Sequence, residues 1–253
     1  FIGLPKETQF EEKRVCLTPD AVGALTAHGH RIVVETGAGN AANYSDKEYS
    51  DAGAKISYNV EEAFGCNIIL KVAPPTLQEI EYIKPQSVLL SALQLKTQSK
   101  KYFESLAKKR ITAFAFDYIK DEHGFYPVVK SLSEIAGTAS VLIAAELLSN
   151  SNKGNGLLVG NIGGVPPTDV VIIGAGTVGE FAARSALGLG ARVKVFDNSI
   201  AKLRRLQHCL NTPIYTSTIQ PKTLLKALMR CDIAIGAIRG KNRSPIMVTE
   251  DMV

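Results

Sequence analysis

The 253 residues are 45% hydrophobic and 21% charged, with a formal net charge of +5. This is ordinary globular composition, enough chain for one large domain or two modest ones, and it argues against a disordered or low-complexity protein. No apolar run stands out at the ~18 residues a membrane helix needs, no signal peptide is visible, and no metal site is predicted. The positive balance suits an anionic ligand. The one dense basic cluster, Lys202, Arg204 and Arg205, falls in a predicted helix without any aromatic or groove-reading motif. It therefore reads as a solvated helix face, and no nucleic-acid partner is expected. Cys16, Cys66, Cys209 and Cys231 lie far apart with no CxxC pair, which suits core packing in a reduced, intracellular compartment. The chain opens on Phe1 inside a strand-like run and closes on Thr249-Glu250-Asp251-Met252-Val253, which reads like the first turn of a helix. It is expected to be part of a longer protein.

In chain order, Ile2-Gly3-Leu4 reads as a strand. Thr18-Pro19-Asp20 starts a helix, with Thr18 as N-cap and Pro19 at the first helical position. That helix carries Val22 and Leu25 on one face and stops at Gly29. Strands follow over 31–35, 68–72, 87–93 and 111–116, and helices over 46–52, 60–64 and 99–108. Strands spaced by helices imply a mainly parallel sheet covered by helices. A long Ala-, Leu- and Ile-rich helix is expected over about 133–148. A loop over 149–167, with several Gly and Asn and the pair Pro166-Pro167, is the best boundary. The predicted organisation is an N-terminal domain over 1–132, a connecting helix and loop over 133–165, and a second domain over 166–253.

The second domain opens on Val170-Val171-Ile172-Ile173, a β-branched run that fits a strand buried on both faces. Gly174-Ala175-Gly176-Thr177-Val178-Gly179 follows directly as a GxGxxG, then a helical pattern over 180–189 and a strand Val193-Lys194-Val195-Phe196 ending on Asp197. Gly174 allows the tight turn, Gly176 lets backbone approach a pyrophosphate, and Gly179 lets the helix pack close to the sheet. The helix N-terminus offers free N–H groups to phosphates. Asp197 lies 18 residues after Gly179, where a carboxylate accepts hydrogen bonds from the ribose hydroxyls and repels the extra phosphate of NADP, so NAD is favoured. The strand Asp232 to Ala237 fits the fourth position of such a fold, and its carboxyl end, Ala237 and Ile238, faces the cofactor. The fifth and sixth strands of the plan are not in this sequence.

Three features ahead of the second domain carry chemistry. Arg14 could grip a carboxylate bidentately or form a surface ion pair. Lys71 ends the apolar run Ile68-Ile69-Leu70, and a charge at the end of a buried strand of an α/β sheet lies where ligands bind. Ser133 or Glu134 could reach a ligand, although Ser131 or Ser133 reads at least as well as a helix cap.

The motifs Ile2-Gly3-Leu4-Pro5-Lys6-Glu7, Glu12-Lys13-Arg14-Val15, Thr18-Pro19, Glu35-Thr36-Gly37-Ala38-Gly39, Leu70-Lys71-Val72, Ser133-Glu134-Ile135-Ala136-Gly137 and the run from Asp169 to Asp197 occur together and in order. With them the whole chain resembles the family of alanine dehydrogenases and nicotinamide nucleotide transhydrogenase α subunits, more closely the dehydrogenases. The resemblance implies two Rossmann-like α/β domains with a cleft between them, joined by a long helix. It implies NAD-dependent, reversible deamination of L-alanine to pyruvate and ammonia by a cytoplasmic homo-oligomer without membrane insertion. Under it Arg14 takes the substrate carboxylate, Lys71 the carbonyl or carboxylate of pyruvate, and Ser133 the cofactor. Two departures stand out. The family's catalytic His belongs in a Leu-His-Leu context, but this chain has Leu93-Gln94-Leu95, and a glutamine cannot move a proton near pH 7. The family's second catalytic group, an Asp, belongs beyond position 253. A transhydrogenase α-subunit-like protein, which needs no acid or base at a carbon centre, is the alternative, as is a related amino acid dehydrogenase. The transhydrogenase's Arg, Gln and Asp loop before the long helix has no counterpart in Tyr126-Pro127-Val128-Val129-Lys130-Ser131-Leu132.

Overall fold

The computed structural model describes residues 1–238 and 246–249. The chain divides into two compact units, Phe1–Val128 and Val129–Val253.

The first unit runs β1 (Ile2–Leu4), α1 (Pro19–Ala27), β2 (Ile32–Glu35), α2 (Asp46–Asp51), β3 (Lys55–Ser57), α3 (Val60–Phe64), β4 (Ile68–Leu70), α4 (Leu77–Tyr82), β5 (Val88–Ser91), α5 (Lys100–Lys108) and β6 (Thr112–Ala115). Its sheet is parallel, in the order β3-β2-β1-β4-β5-β6. The chain winds outward from β1 through β3, then crosses back to place β4 on the other side of β1. That reversal is a topological switch point, where the carboxyl ends of β1 and β4 part and leave a crevice.

The helices begin where side chains can take over orphan N–H groups. Thr18 caps α1 by accepting from Ala21 N, with Pro19 at the first helical position. Ser45 with Glu48, and Thr76 with Glu79, form reciprocal capping boxes on α2 and α4. Apolar clusters fill the layers between sheet and helices. Ile2, Leu4 and Val34 meet Val22 and Tyr49 in one, and Ile69 and Leu89 meet Phe64, Ile80 and Leu106 in another.

The second unit is built from α6 (Pro127–Leu148), which starts at the boundary, then β7 (Asp169–Ile173), α7 (Thr177–Gly188), β8 (Arg192–Phe196), α8 (Ile200–Leu210), β9 (Tyr215–Ser217), α9 (Pro221–Leu228) and β10 (Ile233–Gly236). Its sheet is also parallel, ordered β10-β7-β8-β9, so the switch point lies between β7 and β10. All five residues of β7 are buried: Val170 to Ile173 as an unbroken β-branched run requires, and Asp169 in ion pairs with Arg192 and Lys194.

Several expectations are corrected. The long helix begins at Pro127, not near Ser133, because a proline at a helix start gives up only an N–H that would be orphaned anyway. Ser133 therefore sits inside the helix and does not cap it. At 22 residues, with an 18-residue window of mean hydropathy 1.4, α6 is long and apolar enough to cross a membrane by length and composition. Lys130, Glu134 and Glu146 interrupt the run and hid this in the sequence. It packs through one stripe: Val141 is fully buried in the core of the second unit, and a Cβ on Gly137 would stand 2.4 Å from the Val178 carbonyl oxygen, while Ile135, Leu142, Ile143 and Leu147 are exposed. The structure adds the short elements β3, α4, β9 and α9 to those predicted from sequence. Three-residue strands show no alternation to detect, whereas Thr76-Leu77-Gln78-Glu79 is a legible capping-box signal for α4. The helical turn expected at the end of the chain falls mostly on residues 250–253, outside the described residues.

Candidate functional site

In the second unit the Gly-rich turn leaves β7 at the switch point and enters α7. Gly174 has φ +120°, and a Cβ there would lie 2.5 Å from the Ala237 carbonyl oxygen. A Cβ on Gly179 would lie 1.9 Å from the Gly174 carbonyl oxygen, so α7 can approach the turn only because position 179 has no side chain. Gly176 differs: nothing stands within 4 Å of its absent Cβ, and it faces open space. It is also the N-cap of α7, and no side chain caps that end. The first N–H groups of a 12-residue helix and its positive dipole end are thus left to a ligand.

A cavity of about 350 Å³ lies over this helix start. Its walls bring together Gly176, Thr177 and Val178 from the turn, Asp197 and Asn198 from the end of β8, and Ala237 and Ile238 from beyond β10, with Ser133 and Val129 contributed by α6 and Met247 completing the rim. Gly174, Ala175 and Gly179 shape the turn from beneath.

Asp197 is buried, and its carboxylate accepts from Ala175 N at 2.8 Å and from Ser199 N at 2.7 Å. Two backbone donors leave it acceptor capacity for two more hydrogen bonds. This matches what a ribose diol asks of it. The open space at Gly176, the uncapped helix and the spare capacity of Asp197 all fit a dinucleotide.

Lys202 changes its meaning. Read from sequence as part of a solvated face, it lines this cavity with its ammonium 3.9 Å from Asp197. Arg205, from the same cluster, donates to the Ala175 carbonyl oxygen at 3.1 Å. Their spacing on α8 after a Ser199 cap is a signal that could have placed Lys202 in the first helical turn beside the acid.

The first unit gathers a second cluster at its own switch point. Lys71, one residue past β4, is only 1% exposed. Its ammonium sits 2.9 Å from Glu7 and 3.6 Å from Glu79. Glu7 comes from the loop after β1 and also accepts from Val72 N and Ala73 N, so it bridges the two strands that part at the crevice. Glu79 is aimed by its capping box, with one oxygen on Thr76 N and the other accepting from Thr8 Oγ1 at 3.0 Å. Neither glutamate is among the site residues predicted from sequence.

Arg14 sits in the loop after β1, half-exposed. It holds Glu12 through Nε at 2.8 Å and Nη2 at 2.6 Å, so both readings of the residue meet here: the fork binds a carboxylate bidentately, and that carboxylate is a neighbour. The guanidinium hydrogen bond holds the Glu12 carboxyl below the usual range, and Lys71 adds to the effect. Burial, reinforced by Glu7, pushes the Cys16 thiol up to about 12, so it stays protonated beside this cluster. Gln94 follows β5, which pairs with β4, and so emerges at the same edge of the sheet. It is exposed, with φ +48° and its carbonyl bonded to Thr97. Among the described residues no cluster of His, Cys, Asp and Glu could hold a metal.

Two Rossmann-like units, each with polar groups gathered at the switch point of a parallel sheet, define a two-domain α/β protein of the nucleotide-binding type. Residues 3–136 match the alanine dehydrogenase/PNT N-terminal domain and residues 140–253 the corresponding C-terminal domain, and the chain belongs to this family. An alanine dehydrogenase of Staphylococcus epidermidis is 35% identical over 253 residues, all of this chain and 68% of that protein. Alanine dehydrogenase 2 of Staphylococcus aureus is 34% identical over the same span. Among solved structures, an L-alanine dehydrogenase superposes with a TM-score of 0.92 at 32% identity, covering 99% of this chain and 70% of that one. A transhydrogenase from Sinorhizobium meliloti does so at 0.86 and 25% identity, covering 99% and 74%.

Proposed function

We propose that this protein is an NAD-dependent amino acid dehydrogenase that converts L-alanine, NAD⁺ and water to pyruvate, ammonium, NADH and a proton, reversibly. The observation that carries the proposal is the cavity over the uncapped start of α7, with Asp197 buried in its wall. NAD supplies the hydride acceptor. The chain's own groups bind and orient: the N–H groups around Gly176 take the pyrophosphate, Asp197 the ribose diol, and Ser133, Ala237 and Ile238 line the remaining wall. In the first unit, Arg14 and Lys71 supply the cations for a small acid, and Gln94 stands where the family's imidazole belongs. Both cations already hold carboxylates of the chain itself, so a substrate carboxylate must displace Glu12 or join the pair. The reading includes homo-oligomers in the cytoplasm and small-molecule partners only, as the family resemblance implies.

A transhydrogenase-like role is the second reading, favoured by one observation: Gln94 cannot move protons, and passing hydride between two nucleotides does not ask it to.

Fluorescence titration tests the cofactor assignment. NADH is expected to bind at least tenfold more tightly than NADPH, because a 2′-phosphate would meet the buried Asp197 carboxylate. Equal affinities would remove its role. Lys202 nearby gives the result real risk, since a cation in the same wall works the other way. Gly179→Ala should abolish NADH binding while leaving most secondary structure by circular dichroism, since its Cβ would overlap the Gly174 carbonyl. Unchanged binding in that variant would mean the turn does not hold the dinucleotide.

A further inference from the structure

Beside the Gly-rich turn, and unused by the dinucleotide reading, stands an ion-pair cluster in which the carboxylate is buried and the two guanidinium groups are half-exposed. Glu180, in the first turn of α7, is 7% exposed, and its carboxylate holds Arg205 at 3.0 Å and Arg184 at 3.0 Å. Arg205, reaching over from α8, also donates to the Ala175 carbonyl oxygen. The Ala175 N–H meanwhile donates to Asp197. Both backbone polar groups of the one non-glycine residue between Gly174 and Gly176 are therefore held by charged side chains.

We propose that Arg205, oriented by Glu180, is a positioning residue for dinucleotide binding: by holding the Ala175 carbonyl it aims the Gly176 N–H into the cavity. The geometry follows from the peptide bond. The Ala175 C=O and the Gly176 N–H belong to one planar trans unit and point in opposite directions. Drawing the oxygen toward the Arg205 guanidinium turns the N–H away from that guanidinium. Gly176 lines the cavity, so the freed direction is the ligand's side.

The turn needs such a device because glycines flank Ala175, and glycine loses more conformational freedom on ordering than any other residue. A turn already fixed in the free protein spares that cost at binding. Asp197 fixes the peptide before Ala175 and Arg205 the peptide after it. Asp197 thereby serves both the ligand and the turn, whereas Arg205 and Glu180 serve only the turn.

The inference rests on the dinucleotide reading of the cavity, and NADH fluorescence titration separates the two. Failure of the unaltered protein to bind NADH would overturn that reading and the positioning role with it. If NADH binds, Arg205→Ala is expected to raise its Kd about tenfold, the scale of losing one charge-assisted hydrogen bond. The thermal midpoint should stay within a few degrees. Glu180→Gln keeps the shape of the partner but not its charge, and should raise Kd by a smaller factor, about threefold. Arg205→Lys should recover part of the loss. Arg204→Ala removes the neighbouring cation on α8 and controls for simple attraction of an anionic ligand, so it should change Kd by less than twofold. A Kd within twofold of the unaltered protein in Arg205→Ala would overturn the proposal. So would an equal loss in Arg204→Ala, which would assign the effect to net charge.

Discussion

Lys71→Ala is expected to destabilise the first unit by about 3–5 kcal/mol, the range seen when one member of a buried ion pair is removed. The reason is local. The lysine is 1% exposed, and the side chains of Glu7 and Glu79 beside it are 6% and 9% exposed. Removing the ammonium leaves two carboxylates facing each other with little water to screen them. Glu7 would keep its bonds to Val72 N and Ala73 N, and Glu79 its bonds to Thr76 N and Thr8, so neither can simply swing to solvent without undoing a strand connection or a helix cap. Urea unfolding followed by circular dichroism measures the loss, with the two units read as separate transitions if they unfold separately. Combining Lys71→Ala with Glu7→Gln should recover part of it, because one of the stranded charges is gone. A cost below about 1 kcal/mol would mean the cluster is solvated in solution. NADH affinity should change little, since the dinucleotide cavity is built from residues of the second unit. Loss of alanine turnover in this variant cannot by itself be credited to catalysis; the more conservative Lys71→Arg keeps the charge and is the better probe of substrate contact.

The two kinds of site differ in how much of them was legible from sequence. The Gly-rich turn was readable almost completely, because its requirements are local: Gly174 and Gly179 answer to contacts within a few residues or one strand away, Gly176 leaves open space at a helix start, and Asp197 stands at a fixed remove along one βαβ unit. Lys71 was readable as a charge at a strand end. Its partners were not, because Glu7 is 64 positions away in the chain and its pairing depends on β1 and β4 being neighbours across the switch point. The same holds for Arg205, which looked like one of three equivalent cations on a helix. Its bond to Ala175 depends on how α8 lies against the turn, a tertiary fact without a sequence period. The helix α6 was placed late because its first turns carry serine and lysine, and periodicity weakens where polar residues gather. Arg14 shows a further limit. Sequence could propose that it grips a carboxylate but not that Glu12, two residues away, supplies one.

Gln94→His is expected to raise alanine turnover by ~10²–10⁴-fold in the full-length protein, the usual contribution of a positioned general acid or base. Oxidative deamination must take a proton from the water that attacks the imine and deliver one to the departing amine. Among the groups gathered at the carboxyl edge of the first sheet, Lys71 is tied to two carboxylates, Arg14 does not titrate in the accessible range, and Gln94 offers an amide that can orient but not exchange a proton. The backbone favours the substitution. Position 94 has φ +48°, in the left-handed region where histidine is enriched and glutamine is not, and the Thr97 bonds are made to the Gln94 carbonyl, which the change leaves in place. The side chain is exposed, so an imidazole there meets no packing conflict. Steady-state absorbance of NADH reads the result, with NADH affinity measured alongside as a check that the cofactor site is intact. The rise should appear in kcat, and the variant's rate should fall as pH drops through the imidazole's titration, a dependence the unaltered protein lacks. If the unaltered protein already turns over alanine at a rate typical of enzymes, on the order of 10 per second, Gln94 is no handicap and another group carries the proton. If neither form oxidises any amino acid, but hydride passes between NADH and an NADP analogue once a partner subunit is added, Gln94 belongs to a transhydrogenase-like protein that has no proton to move at that position.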